Sequence, residues 1–308
     1  MSNAIRTTFD SSTYNVLLKE GYLRKLFDNT QREAKVYHKE LYHVHTTKDN
    51  WVLDQRMAGL NDWQELVEGQ SIPAQKPVMG GQKKYTQRRF GTGFRMTDWM
   101  LKFNKHGLWN RWAKDLRKVM EEEWDIELHI PFNSPTSASL TCGTGFDSLA
   151  LGHDTHTGLA TGTGDNYDNL LSADLSFSAL ESVRYYFKTL KDDLGMLMGG
   201  TPSLLVIQPA LYPTAKEIMG STYKPHELSN TTNIFEDYLK IYEDPRLTST
   251  TTWFVLDKEK HDMNVFVSYQ PDFVTQDAPD TSRDRICTSQ MYGTYGWGDP
   301  RGVYVGNT

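Results

Sequence analysis

The sequence predicts an α+β protein, because clear helix-like and strand-like patterns are both present and do not alternate as regular βαβ units. Residues 107–130 and 178–194 carry apolar side chains at helical spacing, whereas residues 204–207 form a short apolar run between two prolines. No internal repeat is present. A chain of 308 residues is long enough to bury roughly 75% of its unfolded surface in one or two domains.

Residues 1–50 are polar and mixed in charge, and they predict an extended N-terminal arm. A helix-like spacing occurs between residues 14 and 27, and its apolar positions are Leu17, Leu18, Tyr22, Leu23 and Leu26. The run is too short to form a domain, so we expect one short helix within the arm.

Two strand-like segments, residues 51–56 and 83–96, flank a stretch over residues 69–81 that contains three glycines and two prolines. This pattern predicts a long hairpin with little hydrophobic content at its tip. An isolated hairpin is marginally stable in water. We therefore expect the hairpin to lie on a neighbouring copy of the chain rather than on its own molecule.

Residues 107–130 are the strongest helix candidate. Apolar residues recur every four positions, Val119 widens the stripe, and Pro131 is expected to end the helix. The six positions of the stripe are Leu108, Trp112, Leu116, Met120, Trp124 and Leu128. A second helix is predicted over residues 178–194, with Ser178 and Glu181 as a capping box and Gly195 just beyond its end.

The rest of the chain predicts loop, one more helix and several strands. Residues 132–172 are rich in Gly, Ser, Thr and Asp and are expected to form loop. After the buried strand 204–207, a short helix should turn Ala215, Ile218 and Met219 inward and end at Gly220. Strands follow at 238–242, 252–256 and 265–269, and the remainder to residue 305 is aromatic-rich β-structure and turn.

The sequence carries no convincing metal site. His43 and His45 alternate on a strand, and His153 and His156 lie in a loop, but a zinc site needs about four convergent ligands. We expect exposed or hydrogen-bonded histidines there. The acidic run from Glu121 to His129 lacks the Glu-x-x-His pairs of di-iron bundles, so it is interpreted as a solvated helix end.

Catalytic and nucleotide-binding motifs are not found either. The two Gly-Thr-Gly stretches, at 143–145 and 162–164, lack the Gly-Lys-Ser/Thr of a phosphate-binding loop, and they are interpreted as flexible connectors. A GxSxG elbow is also missing from the sequence. We predict no catalytic residue, no metal ligand and no cofactor.

Two cysteines, Cys142 and Cys287, are expected to stay reduced, as is usual in a cytosol-like compartment. The first twelve residues contain no apolar core of a secretory signal, and the apolar runs are too short to span a bilayer. We therefore expect neither secretion nor insertion into a membrane.

Positive charge is concentrated between residues 82 and 118, which contain eleven Lys or Arg and only two acidic residues. The whole chain, in contrast, has a net charge of −6. Such a stripe can meet acidic surface on an adjacent copy, where complementary charge sets the register. It can also track a phosphate backbone, as on packaged DNA, or simply be solvated. The first interpretation is preferred, and the other two stay open.

Four segments resemble the major head subunit of Mu-like phages. They are DSLALGHDTHTG (147–158), LSADLSFSALESVRYYFKTLKDDLG (171–195), TPSLLVIQPALYPTAKEIM (201–219) and NIFEDYLKIYEDPRLTSTTTWFVLD (233–257). The last two are the more specific, and the whole stretch covers about a third of the chain. The resemblance implies the Hong Kong 97-type capsid fold, which tailed-phage heads share with herpesvirus capsid floors and encapsulins.

The resemblance also implies a domain layout and a function. Residues 1–50 would be the N-terminal arm, 51–100 the extended loop with its flanking strands, and 101–171 the peripheral domain with a spine helix at 107–130. Residues 172–265 would form the axial domain, and 266–308 would return to the peripheral domain. The implied function is a non-enzymatic major capsid protein whose hexamers and pentamers form the icosahedral head; the alternative is an encapsulin-like nanocompartment shell.

Candidate intersubunit residues lie on the extended loop and in the basic stripe: Trp63, Lys83, Lys84, Arg88, Arg89 and Arg95. Further contacts are expected from the spine helix at Arg111, Lys114, Arg117 and Lys118. The implied partners are other copies of the chain, a portal, scaffold, protease or decoration proteins, and double-stranded DNA bound non-specifically on the inner face. The protein would be assembled in the host cytoplasm and reside in the virion. Rival hypotheses are a hydrolase that uses the loop at 147–158 and a nucleic-acid-binding module that uses residues 83–118.

Overall fold

A computed structural model describes residues 20–30, 36–59, 65–72, 74, 79–103, 108–158, 166–224, 231–279 and 283–307. The chain divides into two compact units. The smaller unit comprises Met1–Val36, Gln87–Glu127 and Val267–Gly293, and the larger one comprises Tyr37–Thr86, Leu128–Phe266 and Thr294–Thr308.

The described helices are α1 (Glu20–Thr30), α2 (Asp98–Lys102), α3 (Leu108–Asn133), α4 (Phe177–Thr189) and α5 (Tyr212–Gly220). The described strands are β1 (His43–Thr46), β2 (Trp51–Met57), β3 (Met79–Thr86), β4 (Arg88–Met96), β5 (Leu170–Leu171), β6 (Leu204–Ile207), β7 (Lys240–Glu243), β8 (Trp253–Leu256), β9 (Met263–Tyr269), β10 (Val274–Asp277), β11 (Arg285–Trp297) and β12 (Val303–Gly306). This mixture confirms the predicted α+β class. No described helix combines the length and the apolar character needed to cross a membrane.

In the smaller unit, β4 and β10 both pair antiparallel with β11. Phe90 and Phe94, which lie on the same side of β4, make edge-on ring contacts with Trp124 and Trp112 of α3. Helix α1 adds Phe27 to a cluster of buried side chains that also includes Leu116 and Phe273. Burial of these apolar side chains, rather than helix propensity, stabilises such short elements.

The larger unit is built on a five-stranded sheet in the order β5-β12-β8-β6-β7. β6 pairs antiparallel with β8 and parallel with β7, and all eight residues of β6 and β8 are buried. Strands covered on both faces are continuously apolar, which explains the Leu-Leu-Val-Ile run of β6. Helices α4 and α5 contribute Phe187, Val183 and Ile218 to the core beside this sheet.

The predicted hairpin forms in the larger unit, where β2 and β3 pair antiparallel. The segment predicted as one strand over residues 83–96 proves to be two strands, separated at Gln87. The chain changes partner there, because β3 pairs with β2 and β4 pairs with β11. In the same unit His45, on β1, hydrogen-bonds to Asn264 on β9 at 3.1 Å.

Several helix details differ from the prediction. Helix α3 continues through Pro131 to Asn133, because a proline in the last turn removes only one hydrogen bond, and the Ser134 N–H still donates to the Ile130 carbonyl at 3.0 Å. Ser176, not Ser178, caps α4, where it accepts from the Ala179 N–H at 3.2 Å. The helix ends at Thr189, five residues earlier than predicted, and Gly195 adopts a positive φ of 82° in the turn that follows.

Val119 is also not part of the buried stripe of α3. Its side chain is 46% exposed, because it lies about a third of a turn away from the row formed by Leu116, Met120 and Trp124. Those three side chains are buried, as predicted. The short helix that was expected within residues 14–27 is observed as α1, which ends at Thr30; the first nineteen residues of the proposed arm lie outside the described part of the chain.

Candidate assembly surfaces

The two faces of the β2–β3 hairpin have opposite character. Arg56, Lys83 and Tyr85 point to one face and are buried in the larger unit, where Tyr85 packs 5.0 Å from the ring of Phe266. The other face is exposed, with Met57 at 64%. The expectation that the hairpin lacks support from its own molecule is therefore wrong for its paired strands. Its outer face and the exposed Ile72 near its tip stay uncovered.

Lys83, a predicted intersubunit residue, is buried within its own subunit. Its ammonium group donates to the Trp297 carbonyl at 2.9 Å and lies over the Tyr85 and Trp297 rings. Burial lowers the pKa of Lys83 to about 8, because the charged form loses hydration. The side chain is only 7% exposed, so it holds β3 in place and does not present its charge to another subunit.

A buried ion cluster fixes β2 at Arg56. The Arg56 guanidinium donates to both carboxylate oxygens of Asp193, at 2.8 Å for Nε, and Nη1 donates to the Thr157 carbonyl at 3.2 Å. Arg301 binds the same carboxylate of Asp193 and also contacts Asp299 at 3.4 Å. All three side chains of the Arg56–Asp193–Arg301 cluster are less than 8% exposed, so charge pairing compensates much of their desolvation.

The spine-helix candidates separate into buried and exposed residues. Arg117 is 2% exposed, pairs with Glu121 at 2.8 Å and lies over the Phe27 ring, so it stabilises the smaller unit rather than the subunit surface. Arg111 is exposed and lies 3.8 Å from Asp115. Lys118 is exposed and Lys114 is half-buried, on the same side of α3 as Arg111.

The remaining candidates are on or near the sheet strands. Arg88 pairs with Glu127 at 2.5 Å and Arg95 with Asp284 at 2.8 Å, and both pairs lie within the smaller unit. Arg89 is exposed and donates to Gln290 at 2.8 Å. Lys84 is exposed and lies over the Trp51 ring. Trp63 lies outside the described residues.

Two buried histidine networks were not predicted in detail. His156 is fully buried; its ring nitrogens lie 2.6 Å from Asp147 and 3.0 Å from Asn169, and it stacks on Tyr167. Burial acts to raise the pKa of Asp147, but the hydrogen bond and charge of His156 outweigh burial and hold that pKa below its usual value. Because both ring nitrogens of His156 have partners, this side chain joins Asp147 to Asn169.

The second network joins His129 on α3 to Asp244 at 2.7 Å, with both side chains buried. The interpretation of residues 121–129 as a solvated acidic end is therefore only partly right, since Asp125 and His129 are buried. Sequence periodicity gives no signal for a partner 115 positions away. Among the residues that the structure describes, no cluster of three His, Cys, Asp or Glu is arranged to hold a metal ion.

The first Gly-Thr-Gly stretch is packed at its last residue, whereas a Cβ on Gly143 would meet no atom within 4 Å. A Cβ on Gly145 would lie 2.8 Å from the Gly298 carbonyl oxygen, and the Phe146 N–H donates to that same carbonyl at 3.0 Å. The second stretch, at 162–164, lies outside the described residues.

Solved structures with this fold include several capsids. The virus-like particle of Pyrococcus furiosus is similar at a TM-score of 0.53 and 11% identity, covering 94% of this chain and 99% of that chain. The cyanophage P-SCSP1u capsid gives a TM-score of 0.61 at 9% identity, covering 88% of each chain. The bacteriophage JBD30 procapsid gives 0.51 at 8% identity, covering 97% of this chain and 76% of that chain. These likenesses confirm the Hong Kong 97-type fold.

Comparison of the amino-acid sequence with known proteins and family models identifies the family. No curated protein sequence matches the chain. A family model described as "Phage capsid protein" matches residues 81–306, which is well over half of the chain. The protein therefore belongs to the phage capsid protein family.

Proposed function

We propose that the protein is the major subunit of a tailed-phage head, a structural and non-enzymatic component whose hexamers and pentamers tile an icosahedral shell. The observation that carries this proposal is the family match over residues 81–306. The fold supports it, since the similar solved chains come from capsids and a virus-like particle.

Each proposed segment has a mechanical role in this assembly. Residues 1–50 act as an arm, 51–100 as the extended loop, 101–171 and 266–308 as the peripheral domain, and 172–265 as the axial domain. Head-to-tail interfaces within a ring are heterologous and close by rotation. Many weak contacts for each copy then give a strong overall attachment. The exposed outer face of the hairpin is available for such contacts.

Exposed basic residues are the proposed carriers of intersubunit charge complementarity. Lys84, Arg89, Lys114 and Lys118 are exposed or half-buried, and Trp63 stays a candidate on sequence grounds. Arg88, Arg95 and Arg111 have acidic neighbours within the subunit, so we propose a smaller contribution from them. Lys83 and Arg117 are buried inside the subunit, so we no longer propose them as intersubunit residues.

Partners and location follow from the same proposal. The subunit would bind other copies of itself, a portal and, during assembly, scaffold, protease or decoration proteins, and its inner face would contact double-stranded DNA without sequence specificity. Assembly would take place in the host cytoplasm, and the product would be the virion shell.

Negative-stain imaging and sedimentation of the purified protein test the proposal. We expect large closed particles, and a chain that stays monomeric at high concentration would contradict a shell-forming role. A second candidate is a nanocompartment shell, favoured by the nearly full mutual coverage with the Pyrococcus furiosus virus-like particle. Nuclease-protected DNA inside particles from infected cells supports the head, whereas a co-purifying cargo enzyme without DNA supports the compartment.

A further inference from the structure

The short strand β1 (His43–Thr46) covers one edge of β9 (Met263–Tyr269). An uncovered strand edge presents unpaired backbone N–H and C=O groups, to which another chain can add a strand. Three of the four residues of β1 are exposed, among them Val44 at 53%. Burial of apolar side chains therefore does little to hold β1 in place, and its polar and ring contacts with the neighbouring chain matter more.

Two histidines of β1 make these contacts. His43 stacks on the ring of His261, just before β9, with the ring centroids 4.2 Å apart. His45 lies 3.1 Å from Asn264 and stacks on Phe266 at 5.3 Å. Because the partner atom is the amide oxygen of Asn264, the His45 nitrogen donates, and it can do so whether or not the ring is charged. The His43–His261 stack is therefore the contact that a proton would disturb.

The surroundings of His261 disfavour its charged form. His261 is 4% exposed, and its Nδ1 accepts a hydrogen bond from the Met263 N–H at 3.3 Å. Burial, followed by the charge of His43, lowers the pKa of His261 to about 4. Asp257 opposes this shift and Lys258 adds to it, but both effects are smaller. A proton on His261 is therefore favoured only when the ring regains contact with water.

This stack differs from the two buried histidine networks described above, in which a carboxylate lies within 2.7 Å of each ring. In the described part of the chain no residue forms an ion pair with the ring of His43, His45 or His261. Asp262 acts nearby, because it accepts from the Asn264 amide at 2.5 Å. Burial raises the pKa of Asp262, so acid neutralises this carboxylate earlier than an ordinary aspartate. Compensating negative charge is thus scarce around the stack.

The residues just before β1 are attached by contacts that persist in mild acid. Tyr42 is buried, and its hydroxyl donates to the Leu128 carbonyl at 2.7 Å. Glu40 pairs with Lys258 and lies 3.7 Å from Lys240. The hydrogen bond from Lys258 lowers the pKa of Glu40, so this carboxylate stays charged when the histidines take up protons. Acid should therefore act on β1 itself and leave the preceding segment in place.

We propose that the His43–His261 stack is an acid-sensitive latch that holds β1 on β9. When both rings are protonated, two positive charges lie 4.2 Å apart beside Lys258, and β1 detaches while Tyr42 stays anchored. Detachment uncovers the edge of β9, which can then pair with a strand from outside. The inference goes beyond the proposed shell function, and it concerns a single subunit, so it can be tested whether or not particles form.

Amide hydrogen exchange of the full unassembled chain, measured by mass spectrometry, tests the latch. Between pH 7.5 and 5 the protection of the β1 amides, corrected for intrinsic exchange rates, should fall by about 30-fold, because the open form returns His261 to its ordinary pKa of 6.5. The matched control is β10 (Val274–Asp277), a strand of equal length without histidine, whose protection should stay constant. If the β1 amides exchange as slowly as those of the buried β6 at both pH values, β1 opens only with the whole unit, and the inference is overturned.

Substitutions assign the effect to the stack. His261→Gln removes the titrating group, so the pH dependence of β1 exchange should disappear. His43→Gln removes only the second charge, and the fall in protection should then lie between those of His261→Gln and the wild type. His153→Gln alters a loop histidine that is 37% exposed and should match the wild type. Circular dichroism checks that each variant folds, and His43→Gln carries the test if His261→Gln does not. An unchanged pH dependence in the folded variants overturns the inference.

Discussion

Replacing Asp193 by asparagine tests whether the buried ion cluster holds the larger unit together. The substitution keeps the shape of the side chain but removes the charge that two guanidinium groups share, one of them at 2.8 Å. The Arg56 and Arg301 side chains are 6% and 5% exposed, so water cannot replace the lost partner. Removing one member of a buried ion pair costs about 3–5 kcal/mol, because it leaves an uncompensated buried charge.

Urea unfolding of the unassembled chain measures this cost. With a slope of about 3 kcal/mol per molar urea, the loss should lower the midpoint by about 1–1.7 M. Fluorescence of the buried Trp253 and Trp297 reports on the larger unit. Asp154→Asn is the matched control, because Asp154 is 74% exposed and its replacement should change stability by less than about 0.5 kcal/mol. An unchanged midpoint in Asp193→Asn would refute the view that this cluster stabilises the fold.

Three further predictions concern buried groups of the larger unit. Burial, aided by the charge of a neighbouring histidine, lowers the pKa of His261 to about 4. The unfolded state therefore binds the proton more tightly than the folded state does. The free energy of unfolding should fall by about 3 kcal/mol as the pH is lowered from 6.5 to 4. His261→Gln should flatten that loss in pH-dependent urea titrations. The lowered pKa of Lys83 has the same sign, so stability should rise between pH 8 and 10.5, and Lys83→Met should abolish the rise. In Gly306→Ala the new methyl group would lie 2.0 Å from the Trp253 ring and should cost at least about 1–3 kcal/mol, whereas Gly59→Ala, with open space around it, should leave the melting temperature unchanged.

Local patterns correctly predicted elements in which the residues of the segment itself determine which side chains are buried. The four residues of β6 were bounded correctly, since a short apolar run between prolines fits few other structures. The inward residues of α5 were also correct, as Ala215, Ile218 and Met219 are all buried. In these segments tertiary packing and local conformational preference agree, so the residues of the segment are sufficient to predict its secondary structure and its buried side.

Predictions failed where the outcome depends on distant residues. In the sequence Lys83 is one more cation of a basic stripe, and nothing near it indicates its partner, the Trp297 carbonyl 214 positions away. Arg117 likewise depends on the Pro271 carbonyl, to which it donates at 3.1 Å. Ser176 and Ser178 are both good helix caps, and only the packing of α4 selects between them. Long-range contacts of this kind do not produce a periodic pattern in the sequence, so sequence patterns cannot predict them.

The position of β12 in the sheet determines when during synthesis the larger unit can complete its folding. This strand, formed by residues 303–306, lies inside the larger sheet, between β5 and β8, although it follows them by dozens of residues. A ribosome must therefore translate the residues that precede Val303, and this strand itself, before the sheet can close. Polypeptides that stop short of Val303 would keep an unfilled gap flanked by β8, and proteases and chaperones recognise such exposed edges. Prematurely terminated chains would then be degraded before they could be incorporated into an assembling shell.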